Sequence, residues 1–220
     1  MDLIGFFKEV VKALKASGAD YALAGGLVAS IYRKNERTTN DLDFLIFSGK
    51  KTQAVASSMI RSFELEPHII RKAFLSGGPM FAIKRNDTTP YIIAGRAKKD
   101  EKKIGLDFIL PEMPWFEEAI ERAKFNELDF GFGPIPCLTK EDVIISKLYS
   151  LQNDRSRFND LDDLKSIFQA GLDIDIPYIC GQMQKLQLVT PDSLKDFAPR
   201  SLLLTSKRVR RASRKSLSTK

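Results

Sequence analysis

Two short segments of the chain are apolar almost throughout and yet contain aspartate. Residues 40–47 read NDLDFLIF, and residues 103–110 read KIGLDFIL. Apolar runs of this length predict strands that are covered on both faces and lie in the middle of a sheet. Aspartate is depleted in strands and is rarely buried without a partner. The aspartates Asp41, Asp43 and Asp107 therefore need a chemical explanation.

The spacing of these aspartates predicts a cluster of like charges. Asp41 and Asp43 stand two residues apart on one strand, so both point to the same face. If the strand of Asp107 lies alongside, three carboxylates meet, and their mutual repulsion costs stability. A divalent hard cation removes this cost, and Mg²⁺ favours carboxylate oxygens together with substrate phosphates. The pattern therefore favours a metal-assisted phosphoryl-transfer site, whereas any one aspartate alone is more simply a strand cap or an ion-pair partner.

The rest of the chain alternates between helical and strand patterns. Helices are expected over residues 3–16, 27–33, 50–63, 114–123, 141–151, 158–169, 175–187 and 191–198. Further strands are expected over 21–24, 67–74, 79–85 and 90–95, with a solvated turn at 98–103 and a strand or irregular segment at 124–138. The predicted organisation is an α/β domain over residues 1–138, a helical domain over 139–204 and a disordered basic tail over 205–220.

The net charge of +7 is distributed unevenly along the chain. Residues 207–220 contain seven basic side chains and no acid, so residues 1–206 hold 28 basic and 28 acidic side chains. The tail is either a solvated appendage or a device that captures a polyanion such as RNA. If all seven charges met phosphates of single-stranded RNA, the salt dependence of binding would have a slope of about −5.

The composition excludes several functional classes. A single histidine, His68, cannot build a multi-histidine metal site. The two cysteines, Cys137 and Cys180, form neither a CxxC pair nor a disulfide framework. The apolar stretches are too short to span a bilayer, and the N-terminus predicts an amphipathic helix rather than a signal peptide. We therefore expect a cytoplasmic protein without membrane association.

A pair of glycines precedes the first aspartate strand. Gly25 and Gly26 follow a short predicted strand and lead into a predicted helix. Glycines at this position let backbone N–H groups approach a phosphate, and the helix N-terminus adds partial positive charge. A tight turn is the simpler explanation, and only the position of the pair before the DLD sequence favours phosphate. Arg37, just before that sequence, either contacts phosphate or pairs with an acid.

These motifs together resemble the DNA polymerase β-type nucleotidyltransferase superfamily. Its signature is a glycine-rich turn, a helix, a D-x-D strand and a third carboxylate on a later strand; here LAGG occupies 23–26, RTTNDLDFLI occupies 37–46 and IGLDFIL occupies 104–110. The segments LTKEDVIISKL and NDRSRFNDLDDL make the chain most similar to the AbiEii-like branch, which includes toxins of toxin–antitoxin and phage-defence systems. The chain departs from many relatives in having Gly26 where they have serine, and in a slightly long stretch before the D-x-D strand.

The resemblance implies a fold and a role for each motif residue. The fold is a mixed sheet flanked by helices. Asp41 and Asp43 would bind Mg²⁺ (or Mn²⁺) and the nucleoside triphosphate, and Asp107 would complete the metal site and help to deprotonate the acceptor hydroxyl. Gly25 and Gly26 would cradle the β and γ phosphates.

The resemblance also implies nucleotide-binding residues in the helical domain. Lys147 would reach the triphosphate, and Asp154, Arg155 and Asp160 would line the far wall of the cleft. Without the resemblance, Lys147 is equally well explained as part of a solvated helix face, and Asp160 as part of a solvated helix N-terminus.

The sequence leads to one preferred activity and two alternatives. The preferred activity is transfer of a nucleoside monophosphate from a nucleoside triphosphate to an RNA hydroxyl, such as a tRNA 3′ end, by a toxin that has a cognate antitoxin. The enzymatic alternative is a protein side chain or a small molecule, such as an antibiotic, as acceptor. The other alternative is a non-catalytic protein that binds a nucleotide or a partner.

Overall fold

A computed structural model describes residues 2–70, 90–96 and 104–218, with side chains up to residue 212. The helices are α1 (Leu3–Ser17), α2 (Gly25–Tyr32), α3 (Thr52–Ser62), α4 (Phe116–Ala123), α5 (Lys140–Asn153), α6 (Phe158–Gln169), α7 (Ile176–Lys185) and α8 (Arg200–Ser218). The strands are β1 (Asp20–Ala24), β2 (Asp41–Phe47), β3 (Glu66–Ile70), β4 (Ile92–Arg96), β5 (Gly105–Ile109), β6 (Glu127–Asp129) and β7 (Pro134–Pro136). A short 3-10 turn occupies Asp192–Leu194, where a helix over 191–198 was expected.

Five of the strands form one mixed sheet in the order β1-β2-β5-β4-β3. Strands β2 and β5 are parallel, whereas β1 is antiparallel to β2, and β4 is antiparallel to both β5 and β3. The two aspartate strands are therefore neighbours inside the sheet, as expected for strands that are apolar at nearly every position. This arrangement of a mixed sheet with helices confirms the predicted fold class.

One face of this sheet carries an aromatic core. Phe44 of β2 and Phe108 of β5 are fully buried with ring centroids 6.3 Å apart, and Phe7 of α1 lies 6.1 Å from Phe44. Each such ring contributes about 2 kcal/mol when it leaves water. Ile60 of α3 packs on the same face, since a Cβ added to Gly95 would lie 3.0 Å from its side chain. Side chains alternate along a strand, so the aspartates of β2 and β5 point to the opposite face.

The described residues form two compact units. The first contains residues 2–28, 37–70, 90–96 and 104–139, and the second contains 29–36 and 140–218. The sequence analysis had assigned residues 29–36 to the first domain. They belong to the second unit because the backbone N–H groups of Lys34 and Asn35 donate to the carbonyl and hydroxyl oxygens of Ser166 in α6, at 3.2 and 3.1 Å.

The second unit is helical. In it, α5 packs against α6 and α7, and α7 packs against α8. Polar groups at the start of α5 bind α7: Tyr178 donates its hydroxyl to Asp142 Oδ1 at 2.7 Å. The backbone N–H of Asp175 donates to Glu141 Oε1 at 3.1 Å. The apolar core of this unit includes Ile144, Leu148, Leu164, Ile167, Ile179, Met183 and Leu202.

The basic tail was predicted to be disordered over residues 205–220, but its described part is helical. Residues 205–218 continue α8. Leu202 and Val209 are buried seven residues apart, with Ser206 buried between them. The Ser206 hydroxyl accepts a hydrogen bond from the backbone N–H of Thr190 at 2.8 Å. The sequence analysis missed this helix because serine and threonine, rather than large apolar residues, occupy part of its packed face.

Two predictions made from the sequence fall outside the described residues. They are the strand at 79–85 and the solvated turn at 98–103. Among the helices of the described part, none combines the length and apolar character needed to cross a bilayer.

Candidate active site

Parallel pairing places the predicted carboxylates side by side on one sheet face. In the register of β2 and β5, Asp43 stands directly opposite Asp107, and Asp41 stands opposite Gly105. The Asp107 side chain is 15% exposed, whereas Asp41 lies exposed at the start of β2. The structure thus places the three aspartates that the spacing singled out on one face of two neighbouring strands.

The glycine turn lies against one of these carboxylates, that of Asp43. Gly25 begins α2 directly after β1 with a φ of +64°, a left-handed conformation that favours glycine. A Cβ on Gly25 would lie 2.6 Å from the Cβ of Asp43 and would clash with its carboxylate. A Cβ on Gly26 would lie 3.2 Å from a guanidinium nitrogen of Arg37 and 3.1 Å from Thr39 Oγ1. The turn therefore touches a carboxylate at one glycine and a guanidinium at the next.

This arrangement suits a phosphate group bound together with a cation. The first N–H groups of α2 have no partner within the helix and carry its positive dipole end. Glycine leaves that backbone open to approach, and Arg37 adds a charged donor with a planar fork. The sequence analysis named all of these residues, and Thr39 is the neighbour that it did not name.

An arginine that the sequence analysis missed also belongs to this site. Arg96, the last residue of β4, donates from both Nη atoms to the two carboxylate oxygens of Asp107, with Nη2 2.8 Å from Oδ2. Its Nη1 also donates to the carbonyl oxygen of Gly95 at 2.9 Å. No local motif marks Arg96, because only the order of the strands brings the end of β4 beside β5.

Burial sets the protonation behaviour of Asp107. Removal from water is the largest cause and raises the pKa of this carboxyl above its ordinary value. Arg96 opposes the rise through its hydrogen bonds and charge, and the charge of Asp41 adds to the rise. A carboxylate with a raised pKa accepts a proton more readily than an exposed one, which is the property that a general base needs.

The donor set suits a hard divalent cation. Mg²⁺ binds carboxylate oxygens, and the register of β2 and β5 supplies three carboxylates on one face. As the side chains stand, no three His, Cys, Asp or Glu groups of the described residues converge closely enough to hold a metal ion. At Asp107 both oxygens accept from Arg96. The residues fit the cation in type and register. For Asp107 to become a ligand of the cation, its hydrogen bonds to Arg96 would have to break.

Lys147 and Asp160, both expected to bind nucleotide, lie in a buried ion-pair network of the second unit. The Nζ of Lys147 lies 2.8 Å from Asp160 Oδ1 and 2.6 Å from Asp163 Oδ2. Arg33 pairs with Asp163, and Arg157 pairs with Asp160. The side chains of Lys147 and Asp160 are 6% and 9% exposed, so the alternative of a solvated surface is wrong for both.

The charges of this network hold the pKa of Asp160 below its ordinary value. Burial is the largest single cause and raises it, but the charges and hydrogen bonds of Lys147 and Arg157 together outweigh burial. Asp160 is therefore ionised and paired within its own unit. A role of Lys147 or Asp160 in nucleotide binding stays a prediction.

Asp154 and Arg155 lie in the loop between α5 and α6. Asp154 Oδ1 accepts from the backbone N–H and the hydroxyl of Ser156, at 2.9 and 2.6 Å. These hydrogen bonds lower the pKa of Asp154. Arg155 is exposed. The geometry gives Asp154 a local role in the turn, and nucleotide binding by either residue stays a prediction.

A comparison with known protein families gives a match over most of the chain. The family model described as nucleotidyl transferase AbiEii toxin, type IV toxin–antitoxin system, matches residues 11–212. An antigenic nucleotidyltransferase-like protein from Paracoccidioides brasiliensis is 17% identical, with a TM-score of 0.43, over 96% of this chain and 88% of that one. The antibiotic-resistance factor ANT(2'')-Ia is 12% identical, with a TM-score of 0.46, over 100% of this chain and 99% of that one. No curated protein matched the chain in a sequence comparison.

The family match includes the glycine turn, both aspartate strands and helix α5, and it extends over most of the chain. The chain belongs to the AbiEii family of nucleotidyltransferase toxins of type IV toxin–antitoxin systems, as its motifs predicted.

Proposed function

We propose that the protein transfers a nucleoside monophosphate from a nucleoside triphosphate to an RNA hydroxyl, with Mg²⁺ bound by the aspartates. One observation carries this proposal: Asp43 of β2 stands opposite Asp107 of β5 and lies against the glycine turn that opens α2. Such a site holds a triphosphate and a cation together and keeps the reacting groups in line.

Each residue of the site has a separate task in this reaction. Asp41 and Asp43 hold the cation, which when bound neutralises charge on the triphosphate and its leaving group. The backbone of Gly25 and Gly26 and the guanidinium of Arg37 bind phosphate oxygens.

Asp107 takes the proton of the acceptor hydroxyl. The hydroxyl oxygen then forms a bond to the α-phosphorus, the bond from that phosphorus to the bridging oxygen breaks, and pyrophosphate leaves. The raised pKa of Asp107 supports this role, since a base works best when its pKa approaches the working pH.

The basic face of α8 supports RNA as the acceptor. Lys207, Arg208 and Arg211 are exposed. Helical spacing places them opposite the packed side that contains Leu202 and Val209, both of which are buried. A helix that packs on one side and carries only positive charge on the other matches a phosphate backbone in charge.

The acceptor is tested by following labelled nucleotide. The protein is incubated with Mg²⁺, each α-labelled nucleoside triphosphate in turn, and either total RNA or cell lysate. We expect label in RNA, most of it at tRNA 3′ ends, and none with Asp43→Asn. Asp173→Asn, which removes an exposed carboxylate in the second unit, is the matched control and keeps activity. Label only in protein or in a small molecule refutes the RNA acceptor, and no label in any acceptor refutes the activity.

The role of α8 is tested by removing three charges from its basic face. Replacing Lys207, Arg208 and Arg211 by glutamine weakens RNA binding and lowers the magnitude of the salt slope by about 2. Replacing three exposed lysines of α1, Lys8, Lys12 and Lys15, removes the same charge and leaves the slope unchanged. Equal slopes for the two triple variants would exclude α8 as the RNA surface.

Membership of a toxin–antitoxin family also implies a cognate antitoxin as a partner. We propose that a neighbouring gene encodes it. Growth arrest on expression of the protein alone, relieved by co-expression of that neighbour, tests the assignment; growth without arrest argues against toxicity.

A further inference from the structure

Arg96 is a cation that contacts the aspartate cluster through Asp107. It ends β4, which is antiparallel to β5. The preceding residue, Gly95, faces Ile60 of α3. Because side chains alternate along a strand, Arg96 points to the opposite face, where Asp107 lies. The contact is therefore a consequence of strand order and register rather than of a flexible loop.

A glycine on the neighbouring strand makes room for this arginine. A Cβ on Gly105 would clash with Asp41 Oδ1 and would lie 3.0 Å from Arg96 Nη1. The carboxylate of Asp41 and the guanidinium of Arg96 thus both lie over the position that a side chain of residue 105 would fill. The space between β2, β5 and β4 is built for these two charged groups.

All three aspartates of the site act electrostatically on Arg96. Hydrogen bonds to Asp107 raise the pKa of Arg96 most, and the charges of Asp107, Asp41 and Asp43 raise it further, against the opposing effect of burial. The guanidinium therefore compensates the carboxylates in the way that a bound divalent cation would. Its side chain is 43% exposed, so it can leave Asp107 without unpacking the core.

A cation and Arg96 cannot both be bound closely to Asp107 without a cost. Both carboxylate oxygens already accept from the two Nη atoms. A divalent ion on the same carboxylate would lie next to a positive guanidinium, and like charges at such distances repel. The triphosphate brings a group to which the released guanidinium can bind, because the planar fork of arginine matches phosphate oxygens.

We propose that Arg96 is a positioning residue that holds Asp107 until a divalent cation replaces it, and that it then binds the phosphates of the nucleotide. This inference rests on the proposed function, since it assigns the displaced guanidinium to the substrate of the same site. It predicts opposite effects of removing Arg96: tighter cation binding and weaker polyphosphate binding. A merely structural role would weaken both.

The first measurement is Mn²⁺ binding, followed by electron paramagnetic resonance without nucleotide. We expect Arg96→Gln to bind Mn²⁺ about fivefold more tightly than the wild type, which corresponds to about 1 kcal/mol. Arg96→Lys keeps the charge without the bidentate fork and is expected to fall between them. Arg61→Gln removes an exposed arginine of α3 and is the matched control. Thermal unfolding without cation shows whether each variant is folded.

The second measurement is binding of inorganic tripolyphosphate by calorimetry at saturating Mn²⁺. We expect Arg96→Gln to bind this probe about tenfold more weakly, while Arg61→Gln binds it as the wild type does. Mn²⁺ affinity that is unchanged or lower in a folded Arg96→Gln overturns the inference, as does unchanged tripolyphosphate affinity. Asp107→Asn distinguishes failure of the proposed metal site from failure of the role proposed for Arg96. If Asp107→Asn leaves Mn²⁺ affinity unchanged, the proposed metal site itself is refuted.

Discussion

Lys147 provides a sharp test because it can act either in packing or in nucleotide binding. Its Nζ contacts Asp160 at 2.8 Å and Asp163 at 2.6 Å, and the three side chains are 6%, 9% and 0% exposed. Breaking a buried ion pair by removing one partner costs about 3–5 kcal/mol. Lys147→Met leaves Asp163 paired with Arg33 and Asp160 paired with Arg157. We therefore expect a loss at the lower end, ~3 kcal/mol.

The assay is urea unfolding at neutral pH, followed by circular dichroism. Lys12→Met is the control, because that lysine is 79% exposed and lies 4.0 Å from Glu9; its loss should stay below about 0.5 kcal/mol. In Lys147→Met, Asp160 keeps only the half-exposed Arg157 as its partner. Adding Asp160→Asn removes this poorly compensated charge and should restore about 1 kcal/mol of stability.

The pH dependence of the stability lost in Lys147→Met gives an independent check of the packing role. A carboxyl whose pKa is lowered by folding stabilises the protein above its unfolded pKa, which is about 3.9 for aspartate, and loses this contribution as the pH falls through the folded value. Asp160 is such a group. The difference in stability between the wild type and Lys147→Met should therefore shrink as the pH falls below about 4. A variant as stable as the wild type that no longer binds nucleotide would refute the packing role.

The remaining predictions concern the glycine turn, the buried carboxyl and a thiol. Gly25→Ala should abolish transfer because its Cβ would displace Asp43, whereas Gly18→Ala, with a φ of +67° and open space around it, should cost only the ~1–2 kcal/mol of backbone strain and keep activity. Asp107→Asn should gain stability relative to the wild type as the pH rises from about 4 to 7, because a carboxyl with a raised pKa is destabilising once it ionises; parallel pH curves in urea unfolding would refute this. Burial raises the pKa of Cys137 to about 12, so iodoacetamide should label this thiol only in urea, and rapid labelling of the native protein would contradict its burial.

Local patterns were enough to predict that Asp41 and Asp43 share one face of an internal strand. Asp41 and Asp43 share a face because side chains alternate along any strand, whatever its neighbours are. The apolar residues around them marked the strand as internal, since a strand covered on both faces has no polar side. The glycine pair, by its position before this strand, pointed to the turn that contacts Asp43.

The counter-charges of the site could not be predicted in the same way. Arg96 reaches Asp107 because β4 pairs with β5, and nothing in the residues around Arg96 specifies that pairing. Arg33 likewise pairs with Asp163, which lies far along the chain, and the surface interpretation of Lys147 was wrong because its partners come from another helix.

The character of the C-terminal segment also depended on tertiary contacts. Its sequence was interpreted as seven basic residues without apolar periodicity, which is typical of a disordered tail. Packing against the rest of the second unit buries Val209 and Ser206 and stabilises a helix that its own sequence only weakly favours.

Which chemical groups this protein can use follows from short-range rules, because strand alternation, glycine stereochemistry and the charge of each side chain act within a few residues. Those rules identified the carboxylates, the glycine turn and the basic C-terminal segment. The ion-pair partners of Asp107 and Lys147 depend instead on strand order and helix packing, which are set by the free energy of the whole fold. Only these long-range contacts decide that Asp107 is held by Arg96 and that Lys147 is buried between two carboxylates.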